Sequence, residues 1–127
     1  MLTAIIDLDF NSDEAIYMQL TNQIIMGIAS SQLQAGDPLP SVRSLAGTIG
    51  INMHTVNKAY SLLRQWGYIQ MDRRRGAVIS VDTDRMKELE RMREDLSMSI
   101  ARGLCKNVTR EDVHQLVDSI FDEYLEE

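Results

Sequence analysis

The sequence predicts a mostly α chain with one small β-hairpin: a helix-turn-helix, a hairpin that forms a wing, and a two-helix C-terminal segment. Three observations carry this. Two short helical patterns are joined by only two residues, with Gly50 closing the first and Asn52 opening the second. Two short runs rich in Ile, Val and Tyr then flank Asp72-Arg73-Arg74-Arg75-Gly76. From Met86 onward, apolar residues recur at spacings of three and four, the period of amphipathic helices.

The elements follow in order. Residues 4–10 alternate, with Ile6, Leu8 and Phe10 against Asp7 and Asp9, and this period of two predicts a short strand. Asn11 with Glu14 three residues on predicts a capping box for the first helix. That helix carries Ile16, Leu20, Ile24 and Ile28 on one side and stops near Ser30–Ser31. Gln34–Pro40, with one glycine and two prolines, reads as a turn. Ser41 is a good N-cap for a short helix whose core face is Val42, Leu45, Ala46 and Ile49. Gly50 ends it as a left-handed cap. The third helix starts at Asn52, runs to Trp66 and ends at Gly67, which completes a helix-turn-helix.

Tyr68–Met71 and Ala77–Val81 are the strands of the hairpin, and Gly76 ends its loop. The next helix starts at Asp84 and carries Met86, Leu89, Met92, Leu96, Ile100 and Leu104. Lys106–Val108 break it, and Thr109 with Asp112 caps a last helix. The apolar face of that helix is Val113, Leu116, Val117, Ile120, Phe121, Tyr124 and Leu125. The expected organisation is a winged helix-turn-helix domain over 1–81 and a two-helix region over 82–127.

Composition excludes several classes. With 127 residues, 44% apolar and 25% charged, the chain has the composition of an ordinary folded domain. No apolar run approaches the roughly 20 residues of a membrane span, and the acidic N-terminus is unlike a signal peptide. The single cysteine, Cys105, cannot form an internal disulfide and fits a cytoplasmic protein. Eight methionines are scattered and read as core or interface filler. His54 and His114 fall on different predicted elements, so no metal pair, and no cofactor, is expected. There is no nucleophile–base pair and no phosphate-binding glycine loop, which argues against an enzyme.

Charge is unevenly placed. The net charge of −6 belongs to residues 82–127, whereas residues 41–81 hold six basic residues against Asp72 alone. Such asymmetry predicts one segment that meets a polyanion and another that meets water. On the third helix, His54, Asn57, Lys58, Ser61 and Gln65 fall within roughly a 100° arc, with Val56, Ala59, Tyr60, Leu63 and Trp66 opposite. The polar arc contains no glutamate. A solvated helix face usually carries Glu as often as Lys, so this face fits the donor and acceptor pattern of the DNA major groove. The helix start, with Asn52 and Thr55, suits a phosphate oxygen. The three arginines of the hairpin repel one another, and a polyphosphate would relieve that repulsion. Arg43 adds a basic point on the second helix.

The run Ile16-Tyr17-Met18-Gln19-Leu20, followed by Ala35-Gly36-Asp37-Pro38-Leu39-Pro40-Ser41-Val42-Arg43-Ser44-Leu45-Ala46, resembles the start of the GntR-family winged-helix domain. The resemblance continues through Asn52-Met53-His54-Thr55-Val56-Asn57-Lys58-Ala59-Tyr60, Trp66-Gly67-Tyr68-Ile69 and Arg75-Gly76, and covers roughly residues 14–81. The third helix and the short tail look like the YtrA subfamily. The resemblance implies a bacterial transcription regulator, usually a repressor, which binds a palindromic operator as a dimer and is often encoded beside transporter genes. It implies DNA-binding roles for Arg43, Asn52, His54, Thr55, Asn57, Lys58, Arg74, Arg75 and Gly76, with the wing tip at or in the minor groove; Ser61 on the polar arc and Arg73 in the arginine loop complete the expected DNA-binding set. Ser41 and Tyr60 are expected phosphate contacts. Three positions depart from the pattern. Met53 stands where the subfamily has proline and other branches arginine. Arg73-Arg74-Arg75-Gly76 replaces a Gly-x-Gly turn, and Ser44 stands where Glu is common.

The two C-terminal helices carry wide apolar faces that a twofold partner would cover. The expected dimer residues are Met86, Leu89, Met92, Leu96, Ile100, Leu104, Val113, Leu116, Val117, Ile120, Phe121 and Tyr124. Acids on the outer faces would keep this part of a dimer away from phosphates. Two helices leave little room for a drug-sized effector except at the dimer interface. The alternative to a DNA reader is a winged-helix protein-interaction adaptor, in which the basic face would be dispensable.

Overall fold

The computed structural model describes residues 2–125. Its elements are α1 (Leu2–Ile5), α2 (Ile16–Ala29), α3 (Val42–Ile49), α4 (Met53–Gln65), β1 (Ile69–Asp72), β2 (Gly76–Ile79), α5 (Arg85–Cys105) and α6 (Arg110–Tyr124). The chain divides into two compact units, residues 1–82 and residues 83–127.

In the first unit, α2, α3 and α4 pack around Leu20, Ile24, Leu45, Val56 and Leu63, all fully buried. Ile69 of β1 and Ile79 of β2 close the core from the hairpin side. Each such side chain contributes roughly 1.5–3 kcal/mol by leaving water. The caps form as their residue types require. Ser41 Oγ accepts from the Ser44 N–H, and Asn52 Oδ1 accepts from the His54 N–H. Gly50 takes φ 74°, a left-handed conformation that glycine adopts without a Cβ penalty. The helix-turn-helix and the wing therefore form as expected, with α4 ending at Gln65 and Trp66 as its cap.

The N-terminal segment differs from expectation in two ways. Residues 4–10 form no strand, and Leu2–Ile5 is a single helical turn. Residues 7–9 are instead held by two glutamines of α2. The Asp7 N–H donates to Gln23 Oε1 and Gln23 Nε2 donates to the Asp7 carbonyl, both at 2.7 Å. The Asp9 N–H donates to Gln19 Oε1 at 2.8 Å, and Gln19 Nε2 donates to the Asp9 carbonyl at 2.9 Å. Side-chain amides thus replace a neighbouring strand. Four residues of helix rise about 6 Å, close to the roughly 6.6 Å that two extended residues span. The Asn11–Glu14 capping box is also absent. Asn11 donates its N–H to Asp9 Oδ1, and α2 starts after Ala15 with no side-chain cap. The Glu14 carbonyl is used by Gln19 Nε2 at 2.8 Å.

The wing is an antiparallel pair with Ile69 opposite Ile79 and Asp72 opposite Gly76. Gly76 has φ 74°, where a three-residue hairpin loop needs it. β1 begins and ends one residue later than expected, and β2 begins one residue and ends two residues earlier. The Gln34–Pro40 turn ends in an extended stretch that lies along β2. The Leu39 N–H donates to the Ala77 carbonyl at 2.8 Å, and the Ile79 N–H donates to the Asp37 carbonyl at 2.9 Å.

In the second unit, Asp84 caps α5 through the Lys87 N–H. Thr109 and Asp112 form the reciprocal capping box of α6. The turn between these helices uses Asn107 at φ 65°, and Val108 donates its N–H to the Gly103 carbonyl at 2.9 Å.

Candidate nucleic-acid interface

The site is built on α4. Val56, Ala59, Tyr60 and Leu63 are buried, so the opposite side must face outward. His54, Asn57, Lys58, Ser61 and Gln65 are all exposed there, and Thr55 is half-buried. Asn52, also exposed, spends its Oδ1 on the cap, leaving its amide hydrogens outward. No carboxylate lies anywhere on α4, so the face is made of donors and one cation. Arg43 is exposed on the first turn of α3.

One groove brings α4 and the wing together. Ser41, Asn57, Ser61, Arg64, Met71 and Gly76 are among its lining residues. Arg64 was not among the expected contacts. It sits three residues after Ser61 and seven after Asn57, so helical spacing alone places it at the edge of the polar arc. Tyr17 of α2 is a second residue that the sequence did not point to. Lys58 Nζ lies 3.9 Å from the centre of the Tyr17 ring, a cation–π contact that parks the ammonium beside α2. Nothing local in the sequence pairs positions 17 and 58.

The three arginines of the wing are not equivalent. Arg75 Nη1 donates to the Gly36 carbonyl at 3.1 Å, and its guanidinium lies 3.6 Å from the Asp72 carboxylate. Arg75 therefore braces the wing against the preceding loop. Arg73 and Arg74 are exposed and make no side-chain hydrogen bond or ion pair among the described residues. Mutual repulsion is correspondingly smaller than three free arginines would give. Asp72 organises the tip, accepting on Oδ1 from the Arg74 N–H at 2.8 Å and the Arg75 N–H at 3.1 Å. Those two backbone donors, followed by the Arg75 guanidinium, hold its carboxyl below the ordinary value.

Tyr60 corrects an expectation. It is buried, and its hydroxyl donates to the Pro40 carbonyl at 2.7 Å. A phosphate contact needs that hydrogen, so Tyr60 fastens α4 to the segment before α3 instead. Burial also pushes its phenol well above the ordinary pKa. Ser41 remains exposed, with its Oγ accepting at the cap and its own hydrogen free.

The second unit holds the apolar faces. Met86, Leu89, Met92, Leu96, Ile100, Leu104, Leu116, Ile120 and Phe121 are exposed, while Val113, Val117 and Tyr124 are half-buried. Neither α5 nor α6 contains a buried residue. Among the described residues, no group of three or more His, Cys, Asp or Glu is placed to hold a metal, and no helix is long and apolar enough to cross a membrane.

Comparison with known proteins agrees with this geometry. Residues 14–79 match the family of bacterial regulatory proteins named gntR. The transcriptional repressor YtrA of Bacillus subtilis is 32% identical over 118 residues, covering 91% of each chain. The structure of YtrA from Sulfolobus acidocaldarius, a GntR-family transcription factor, is 40% identical and has a TM-score of 0.67, covering 80% of this chain and 98% of that one. A transcriptional antiterminator from Listeria monocytogenes superposes with a TM-score of 0.85 at 28% identity, covering 96% of this chain and 93% of that one.

Proposed function

Because the chain belongs to the GntR family and is a DNA-binding transcriptional regulator, we propose that it is a repressor that reads a palindromic operator as a homodimer. The observation that carries this reading is the exposed, carboxylate-free face of α4 flanked by the uncommitted Arg73 and Arg74. In this reading α4 enters the major groove. Asn57 and Lys58 meet base edges there, where Asn suits adenine and Lys suits guanine or phosphate. Arg43, Ser41 and the wing hold the backbone on either side. Phosphate contacts fix register, and base contacts supply the sequence.

Two copies join through the apolar faces of α5 and α6. A twofold dimer presents its two α4 helices to half-sites about one helical turn or more apart, which matches a palindrome. Repression is supported by the name of the B. subtilis relative. A transporter operon as the target follows from the resemblance to the YtrA subfamily.

The test is selection from a pool of random duplex DNA over several rounds at physiological salt, followed by sequencing. Enrichment of one palindrome is the expected result. Weak, purely salt-dependent binding with no enriched sequence would overturn the reading and favour the adaptor role.

A further inference from the structure

Phe10, Met26, Met53, Met71 and Val81 are exposed apolar side chains of the first unit, and of these Met53, 43% exposed, stands on α4, at its first position. Its neighbours Asn52 and His54 are exposed as well. Helical geometry puts Met53 on the row of Asn57 and Ser61, at i, i+4 and i+8. Asn57 and Ser61 line the groove between α4 and the wing. Met53 is therefore an apolar end to a row of hydrogen-bonding groups. A lone exposed methionine elsewhere on the surface would need no explanation. This one occupies the leading turn of the helix that faces the nucleic acid.

We propose that Met53 determines specificity by packing its thioether chain on the C5-methyl group of a thymine in the major groove. The proposal rests on the DNA-reading function given above. Thymine alone presents a methyl group in that groove, whereas every other edge presents donors or acceptors only. A thioether that covers those edges strips their water and returns almost no hydrogen bond, which is unfavourable. The unbranched methionine chain adapts its rotamers to the methyl surface. The spacing also limits where the thymine lies. Met53 and Asn57 are separated by about 6 Å along the helix axis, and base pairs are stacked about 3.4 Å apart. The thymine should fall within about two base pairs of the one that Asn57 contacts.

Deoxyuridine tests this directly, because it keeps every hydrogen-bonding group of thymine and removes only the methyl. Each thymine of the selected operator is replaced in turn, in both half-sites, and binding of the full chain is titrated by fluorescence anisotropy. The expected result is one thymine per half-site at which replacement weakens binding about fourfold, the effect of exposing one methyl. In Met53→Ala the same replacement should change binding by less than about 1.5-fold, because the methyl then has no partner to lose. Met53→Leu should keep the sensitivity, and both variants should melt as the wild type does, since the side chain lies outside the core. An operator with no methyl-sensitive thymine overturns the proposal. So does a sensitivity that survives in Met53→Ala. Either result leaves the DNA-reading function standing, whereas a selection that enriches nothing removes that function and this assignment with it.

Discussion

Tyr60 and Arg75 show how much a residue's role depends on a partner far away in the chain. The Tyr60 hydroxyl reaches a carbonyl 20 residues back, and Arg75 reaches one 39 residues back. Sequence spacing could place Tyr60 on the buried side of its helix, but not name the acceptor. Tyr60→Phe removes the donor and leaves a carbonyl unpaired, so we expect a loss of about 1 kcal/mol in urea denaturation. Operator affinity should not change. The raised phenol pKa adds a pH signature. The folded state resists ionising Tyr60 and the unfolded state does not, so this contribution is complete below pH 10.0 and declines as pH rises above it. Tyr60→Phe should remove that part of the alkaline loss. The wing divides differently: Arg74 is free, so Arg74→Ala should weaken all duplexes alike and reduce the salt slope by about one. An unchanged slope would remove Arg74 from the interface.

Elements were legible wherever their signals are local. Ser41, Asn52 and Thr109 cap the helices that follow them, because a cap is a hydrogen bond across two or three residues. Gly50 and Gly76 sit where a positive φ is needed. The period of two in residues 4–10 failed for a related reason. It reports alternating environment, and residues 7–9 do have their backbone paired, but the partners are Gln19 and Gln23 of α2. Buried Gln19 holds Asp9 at both its N–H and carbonyl, and the Glu14 carbonyl too. Gln19→Ala should therefore cost about 1–3 kcal/mol, with the desolvated groups left unpaired. Amide exchange at Asp9 should quicken by more than exchange in α4. Equal acceleration in both would mean that the clamp is not a separate unit.

At the scale of the whole molecule, the apolar faces of α5 and α6 are the largest feature a single chain leaves unexplained. Leu96, Ile100, Ile120 and Phe121 are each about half exposed, so covering them would contribute roughly half of the 1.5–3 kcal/mol of full burial apiece, a gain that favours a homodimer. A carboxylate placed among them would have to be desolvated on association. Ile120→Asp should therefore shift sedimentation from dimer to monomer. It should also lower affinity for a full palindrome by at least tenfold, while binding to an isolated half-site stays within about twofold, because only the linkage between sites is lost. A monomeric wild-type protein at micromolar concentration would sink the dimer.

By itself the sequence determined the order and type of nearly every element, the turn between α3 and α4, and the face of α4 that meets solvent. It also determined where positive charge gathers. Each of these depends on caps, glycines, periodicity or composition within a few residues. Only the tertiary structure decided which polar groups were already used. Tyr60 is spent on Pro40, and Arg75 on Gly36. A hydrogen-bond donor's availability is set by whatever acceptor the fold brings within reach, and that acceptor lies too far along the chain for any local pattern to name it.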